Sequence, residues 1–159
     1  MSTPDQPQPT SLTVAEFRRR LQLVAWALLL AQFLYIVMAF AMIFHGFRPA
    51  RPGSEERNVV VLTVLGVSVI SVGLSFVVVT AKARREPAVD FATGAKALVA
   101  QFFLGFALSE VPSLGGLLLF VLYAHAVALV AMVSVSVAAI AGHYARVRKR
   151  LELLGQLKP

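Results

Sequence analysis

The chain alternates long apolar stretches with short polar ones. The first apolar stretch runs from about Leu21 to Phe44, and the second from about Val59 to Ala81. The third, Ala97 to Gly142, continues almost unbroken for 46 residues. The first two have the length of a single bilayer crossing, for which about 20 apolar residues suffice as a helix. As one helix the third would be about 69 Å long, over twice the thickness of the hydrocarbon core, so it is predicted to turn back once. The best turn lies at Leu122-Tyr123-Ala124-His125-Ala126, where an amphipathic aromatic and a histidine suit an interface. The valine-rich second stretch would favour strand in water. In lipid an isolated strand leaves its backbone polar groups unpaired, so helix is expected there too. The prediction is an all-α polytopic membrane protein with four transmembrane helices, spanning about 21–44, 59–81, 97–121 and 126–145.

The polar segments complete this plan. Residues 1–12 are polar and proline-rich (MSTPDQPQPT at the start), and read as a disordered tail. Thr13-Val14-Ala15-Glu16 fits a capping box at a helix start, opening a transmembrane domain over 13–146. A cleaved leader is not expected, because the first apolar run is too long and no small-residue cleavage site follows it. His45 to Asn58, with two prolines and two glycines, reads as a loop, and Lys82 to Asp90 as a short basic loop. Residues 147–159 form a basic tail.

Composition agrees with the patterning. The chain is 58% hydrophobic, with 14% charged residues and a mean hydropathy of +0.76. A soluble domain of this length could not bury so much apolar surface. With no cysteine there are no disulfides, thiolate metal sites or cysteine nucleophiles. The three histidines, His45, His125 and His143, lack ligand spacing, and no metal or other cofactor is expected. No phosphate loop, nucleophile elbow or nucleic-acid module is present, so neither enzyme chemistry nor nucleic-acid binding is expected.

The net charge of +7 carries topology instead. Arg18, Arg19 and Arg20, then Lys82, Arg84, Arg85 and Lys96, then Arg146, Arg148, Lys149, Arg150 and Lys158 place twelve cations on one side. Only Arg48, Arg51 and Arg57 fall on the other. Positively charged loops stay inside, so both termini are expected in the cytoplasm of a cell (inner) membrane protein. The basic stretch from His143 to Leu154 is expected to extend the fourth helix and to meet anionic lipid head groups, each cation near the surface contributing about 1 kcal/mol. Positive-inside anchoring alone accounts for the same stretch.

One residue breaks the apolar pattern. Glu110, in Phe102-Phe103-Leu104-Gly105-Phe106-Ala107-Leu108-Ser109-Glu110-Val111-Pro112-Ser113-Leu114, is the one acidic or basic side chain of the predicted spans. An ionised carboxylate in lipid with no basic partner is desolvated without compensation, so the acid is expected to be neutral. Pro112 lacks an N–H and clashes with the carbonyl of Leu108, freeing an acceptor that a protonated Glu110 can reach. The bland reading is a neutral acid hydrogen-bonded between helices. The sharper one is an exchangeable proton or ion site formed by Glu110 with Leu108, Ser109, Pro112 and Ser113.

The remaining polar and small residues read as packing. Gln32, Ser68, Ser71, Ser134 and Ser136 lie at similar depth and form a midplane polar cluster if they face inward with Glu110. Such interhelical bonds contribute about 0.6 kcal/mol on average, up to roughly 2. Small residues recur every fourth position at Ala97, Gln101, Gly105, Ser109 and Ser113, and again at Ser134, Ala138 and Gly142, with Gly66, Ser71 and Ser75 in the second helix. These ladders mark close helix–helix faces, within the chain, in a homo-oligomer or against a membrane partner.

The segment from Ala83-Arg84-Arg85-Glu86-Pro87-Ala88 to Phe120 resembles the proteolipid c subunit of rotary ATP synthases. That family is a helical hairpin with a cytoplasmic loop of Ala-Arg-x-Pro type and a second helix bearing Phe-x-Gly-x-Ala-Leu-x-Glu before a proline. Phe103-Leu104-Gly105-Phe106-Ala107-Leu108-Ser109-Glu110 matches that motif. The resemblance implies that Glu110 is the ion-binding carboxylate of an ion-translocating protein. The second helix here (GVSVISVGLS) lacks the family's dense glycine repeat, the interval from loop to Glu110 is some five residues longer, and two further helices are present. The whole chain is also similar to small bacterial four-helix membrane proteins. The reading that results is a non-enzymatic multi-pass membrane protein with a neutral Glu110 between helices. A c-subunit-like exchangeable carboxylate is the alternative.

Overall fold

A computed structural model describes residues 14–49, 53–85 and 91–154. These form four helices: α1 (Val14–Phe44), α2 (Ser54–Arg85), α3 (Phe91–Tyr123) and α4 (Ala126–Leu154). Each contains a segment long and apolar enough to cross a membrane: Ala15–Phe44, Glu55–Thr80, Ala97–Tyr123 and Ala126–Leu153. The fold is all-α, as the apolar pattern requires. The proposed tail 1–12, the capping threonine Thr13, Arg51, the loop residues 86–90 and the last residues, 155–159, lie outside the described residues.

Several helix ends differ from the sequence reading, for local reasons. Residues 54–58 are helical rather than loop. Glu55 and Glu56 occupy the first turn of α2, where acids complement the helix dipole, and the Arg57 N–H donates to the Gly53 carbonyl at 3.1 Å. At its other end α2 continues through Lys-Ala-Arg-Arg, good helix formers, so that residues 82–85 are helical where a loop was expected. The long apolar run turns back at Ala124 and His125. Ala124 takes a left-handed backbone (φ 53°), and His125 Nδ1 accepts the Ala128 N–H at 3.4 Å, capping α4.

The helices pack antiparallel in sequence order. The Arg18 guanidinium reaches the Glu152 carboxylate at 3.3 Å, so the start of α1 and the end of α4 lie at the same end of the bundle. The α3–α4 pair is the centre. α2 packs mainly on α3 and α1 mainly on α4, while α1 and α2 do not touch among the described residues. One apolar cluster, around Phe17, Leu98, Phe102, Phe106, Ile140 and Leu151, fills the basic end. A second, of Ala39, Phe120, Leu129 and Val133, fills the end with the α3–α4 turn. Large apolar side chains such as Trp26, Phe33, Phe40, Leu62 and Val69 are 60% or more exposed, as lipid-facing residues are expected to be.

Candidate functional site

Polar side chains are buried between the two apolar clusters and within the first of them. Gln32, Ser68, Ser71, Ser75, Gln101, Ser109, Ser113, Ser136 and His143 are all buried, and Ser75, Ser109, Ser113, Ser136 and His143 fully so. The every-fourth ladder of α3 explains why. Gln101, Gly105, Ser109 and Ser113 share one face, and that face is the one turned into the bundle.

Three helices meet at Ser113. Its hydroxyl donates to Gln32 Oε1 of α1, and its backbone N–H donates to Ser136 Oγ of α4 at 3.1 Å. Pro112, itself fully buried, immediately precedes it in a helix that continues without interruption. Several other hydroxyls are satisfied within their own helices. Ser68 donates to the Val64 carbonyl and Ser109 to the Gly105 carbonyl, both at 2.7 Å, and Ser134 to the Val130 carbonyl at 2.8 Å. Such back-bonding is how a serine inside a helix avoids an unpaired donor.

Closer to the basic end, the fully buried His143 of α4 lies against Ser75 of α2, with Nε2 2.9 Å from Ser75 Oγ. Ser75 spends its one hydroxyl proton on the Val72 carbonyl at 2.7 Å, so the histidine Nε2–H is the donor of this pair. His143 Nδ1 is then a bare acceptor, and it has no partner among the described residues. The Phe76 ring covers the imidazole at a centroid separation of 4.6 Å. Gly105 makes room for this arrangement, since a Cβ there would come within 2.8 Å of Val79 and 3.5 Å of the imidazole.

Glu110 stands apart. It is only partly buried, and no hydrogen bond or ion pair reaches it among the described residues. Helical spacing puts it on the flank of Phe103 (54% exposed), Ala107 and Leu114 (49% exposed), beside the polar seam and not in it. Tyr35 of α1 lies within its electrostatic reach. The expected bond to the Leu108 carbonyl is not formed, and the hydroxyls of Ser109 and Ser113 are committed to Gly105 and Gln32. The candidate ion-binding set is thus not assembled around Glu110 within one chain. The interhelical bonding expected of it is performed by Gln32, Ser113 and Ser136.

The small-residue ladders divide in the same way. Gly105 and Ser71 are buried, and a Cβ on Gly142 would meet Phe76 at 3.7 Å, but Ser134 and Ala138 are exposed and a Cβ on Gly66 would meet nothing within 4 Å. Equally close approaches occur at Gly115 and Gly116, which the sequence reading passed over. A Cβ on Gly115 would lie 2.7 Å from Val64, and one on Gly116 would lie 3.0 Å from the Leu129 Cα and from Met132. The signal was available: Gly116 lies three residues past Ser113, so the α3 ladder shifts by one position instead of ending. His143 was legible too, being seven residues from Ser136 on the same face of α4.

Among the described residues no group of three or more histidines, aspartates or glutamates is placed to hold a metal ion. Comparison of the chain with protein families, curated proteins and solved structures finds no match.

Proposed function

We propose that this is a non-enzymatic, multi-pass protein of the cell (inner) membrane that assembles through the Glu110 flank of α3 with another membrane-embedded helix, from a second copy or from a partner. Both termini lie in the cytoplasm in this reading, which rests on the division of twelve cations against three. The observation that carries the assembly is the partly exposed, unpartnered Glu110 in the middle of an apolar helix. A carboxylic acid in hydrocarbon is stabilised where its proton has an acceptor, and among the described residues no hydrogen bond gives Glu110 one. In the assembly Glu110 is a neutral donor across the interface.

Energy transfer between donor- and acceptor-labelled copies in liposomes tests this, together with co-purification from native membranes in mild detergent. Glu110→Leu should abolish the association, and Glu110→Gln, which still donates, should keep part of it. Association unchanged in Glu110→Leu would sink the reading.

The outward placement of Glu110 also supports the second reading, an exchangeable carboxylate, because ion exchange requires access from outside the bundle. A hydrophobic carbodiimide should then modify Glu110, and proton flux into liposomes should disappear in Glu110→Gln. A wild-type protein without flux removes this second reading and leaves the first standing.

A further inference from the structure

At the basic end, α2 and α4 leave a cleft of about 360 Å³ between them, lined by Thr80, Arg146, Lys149, Arg150 and Leu153. Arg146, Lys149, Arg150 and Leu153 follow one another at i, i+3, i+4 and i+7, so one face of α4 lines the cleft with the stems of three cationic side chains and a leucine, the charged heads standing around it. Two of the cations are held in place. Arg150 donates to Gln101 Oε1 of α3 at 2.9 Å, and the Arg146 guanidinium lies over the Phe76 ring at 4.6 Å. None of the three is paired with a carboxylate among the described residues. Glu152, one of the acids of this end, is engaged by Arg18 at 3.3 Å and Arg148 at 3.1 Å.

We propose that this cleft is a binding site for the phosphate of an anionic phospholipid head group. Three cations that no carboxylate pairs with among the described residues, two of them pre-oriented, leave a positive site that a phosphate oxygen cluster neutralises. The depth fits a lipid rather than a free anion. Thr80 is the last residue of the apolar segment of α2, and one turn deeper Val77 is 60% exposed, offering acyl chains an apolar wall directly below the cations. Leu153 at the rim is 57% exposed and suits the same interfacial layer. Arg148, on the far face and already paired, takes no part.

The test is native mass spectrometry of the whole protein in micelles containing equal amounts of phosphatidylglycerol and phosphatidylcholine. The wild type should retain phosphatidylglycerol with a preference of roughly tenfold or more, since each cation near a charged lipid surface contributes about a factor of five. The double variant Arg146→Gln/Lys149→Gln should lose that preference, and Arg148→Gln should keep it. The single variant Lys149→Gln, at an exposed position, gives the same reading with a smaller loss if the double variant does not fold. Equal retention of the two lipids by the wild type overturns the proposal. So does a loss in Arg148→Gln as large as in the double variant, which would show diffuse charge attraction without a site. Displacement of the lipid by excess inorganic phosphate overturns the lipid assignment in favour of a soluble phosphate ligand.

Discussion

Ser113 and Glu110 lie three residues apart on α3 and are both polar in an apolar helix, yet their surroundings are opposite. Ser113 is sealed between α1 and α4, with its hydroxyl and its N–H each bonded to another helix. Glu110 looks out past Ala107 and Leu114 with no partner of its own among the described residues. The seam at Ser113 closes the bundle; the flank at Glu110 is left over by folding. Polar residues of the first kind are accounted for by this chain alone. Those of the second kind need something outside it, and that is where function is sought.

The comparison is broken most severely by filling the seam. Gly116→Leu drives a side chain into the Leu129 backbone at a position where even a Cβ meets it at 3.0 Å. It should lower stability by about 3 kcal/mol or prevent folding, measured by denaturant titration in mixed micelles. A change under about 1 kcal/mol would mean that α3 and α4 are not packed this closely.

Removing the hydroxyl at the centre of the seam comes next. Ser113→Ala leaves both polar ends of the buried Gln32 side chain without a partner, and should lower stability by about 1 kcal/mol, within the range up to roughly 2 seen for interhelical bonds. Outside the seam the sign reverses. Gly66→Ala meets open space, and should raise stability by about 0.5 kcal/mol through backbone entropy alone. Destabilisation there would show that Gly66 packs against another chain. The smallest effect is expected for Arg148→Gln, which removes an exposed ion pair with Glu152 and should change stability by less than about 0.5 kcal/mol in the same titration.

How much of this was legible in the sequence follows from the solvent. In lipid the count and type of elements are set by length and apolarity, so the four helices could be read directly, including the reversal within the 46-residue run. Which face of each helix turns inward was harder, because the helices are apolar all round and no stripe contrasts with another. Small polar residues supplied the one usable contrast. It worked for Gln101, Gly105, Ser109 and Ser113, where the ladder sits on the contact with α4 and α2. It failed for Ser134 and Ala138, whose ladder lies on the exposed side of α4. A back-bonded serine such as Ser134 is as comfortable toward lipid as toward a neighbour, so its presence does not select a face. Glu110 drew notice from its charge, but the local pairing expected from Pro112 did not form. The turned-in positions around the proline belong to Ser109 and Ser113, which leaves Glu110 on the outer flank.

The division of labour on α3 is tested most directly by comparing the unfolding free energies of Glu110→Leu and Ser113→Ala in the monomeric protein under one set of micelle conditions. With Glu110 unused inside the fold, Glu110→Leu should leave stability unchanged or slightly raised, while Ser113→Ala lowers it by about 1 kcal/mol. A loss in Glu110→Leu equal to or greater than that in Ser113→Ala would contradict the account, because Glu110 would then be holding this bundle together rather than waiting for a partner.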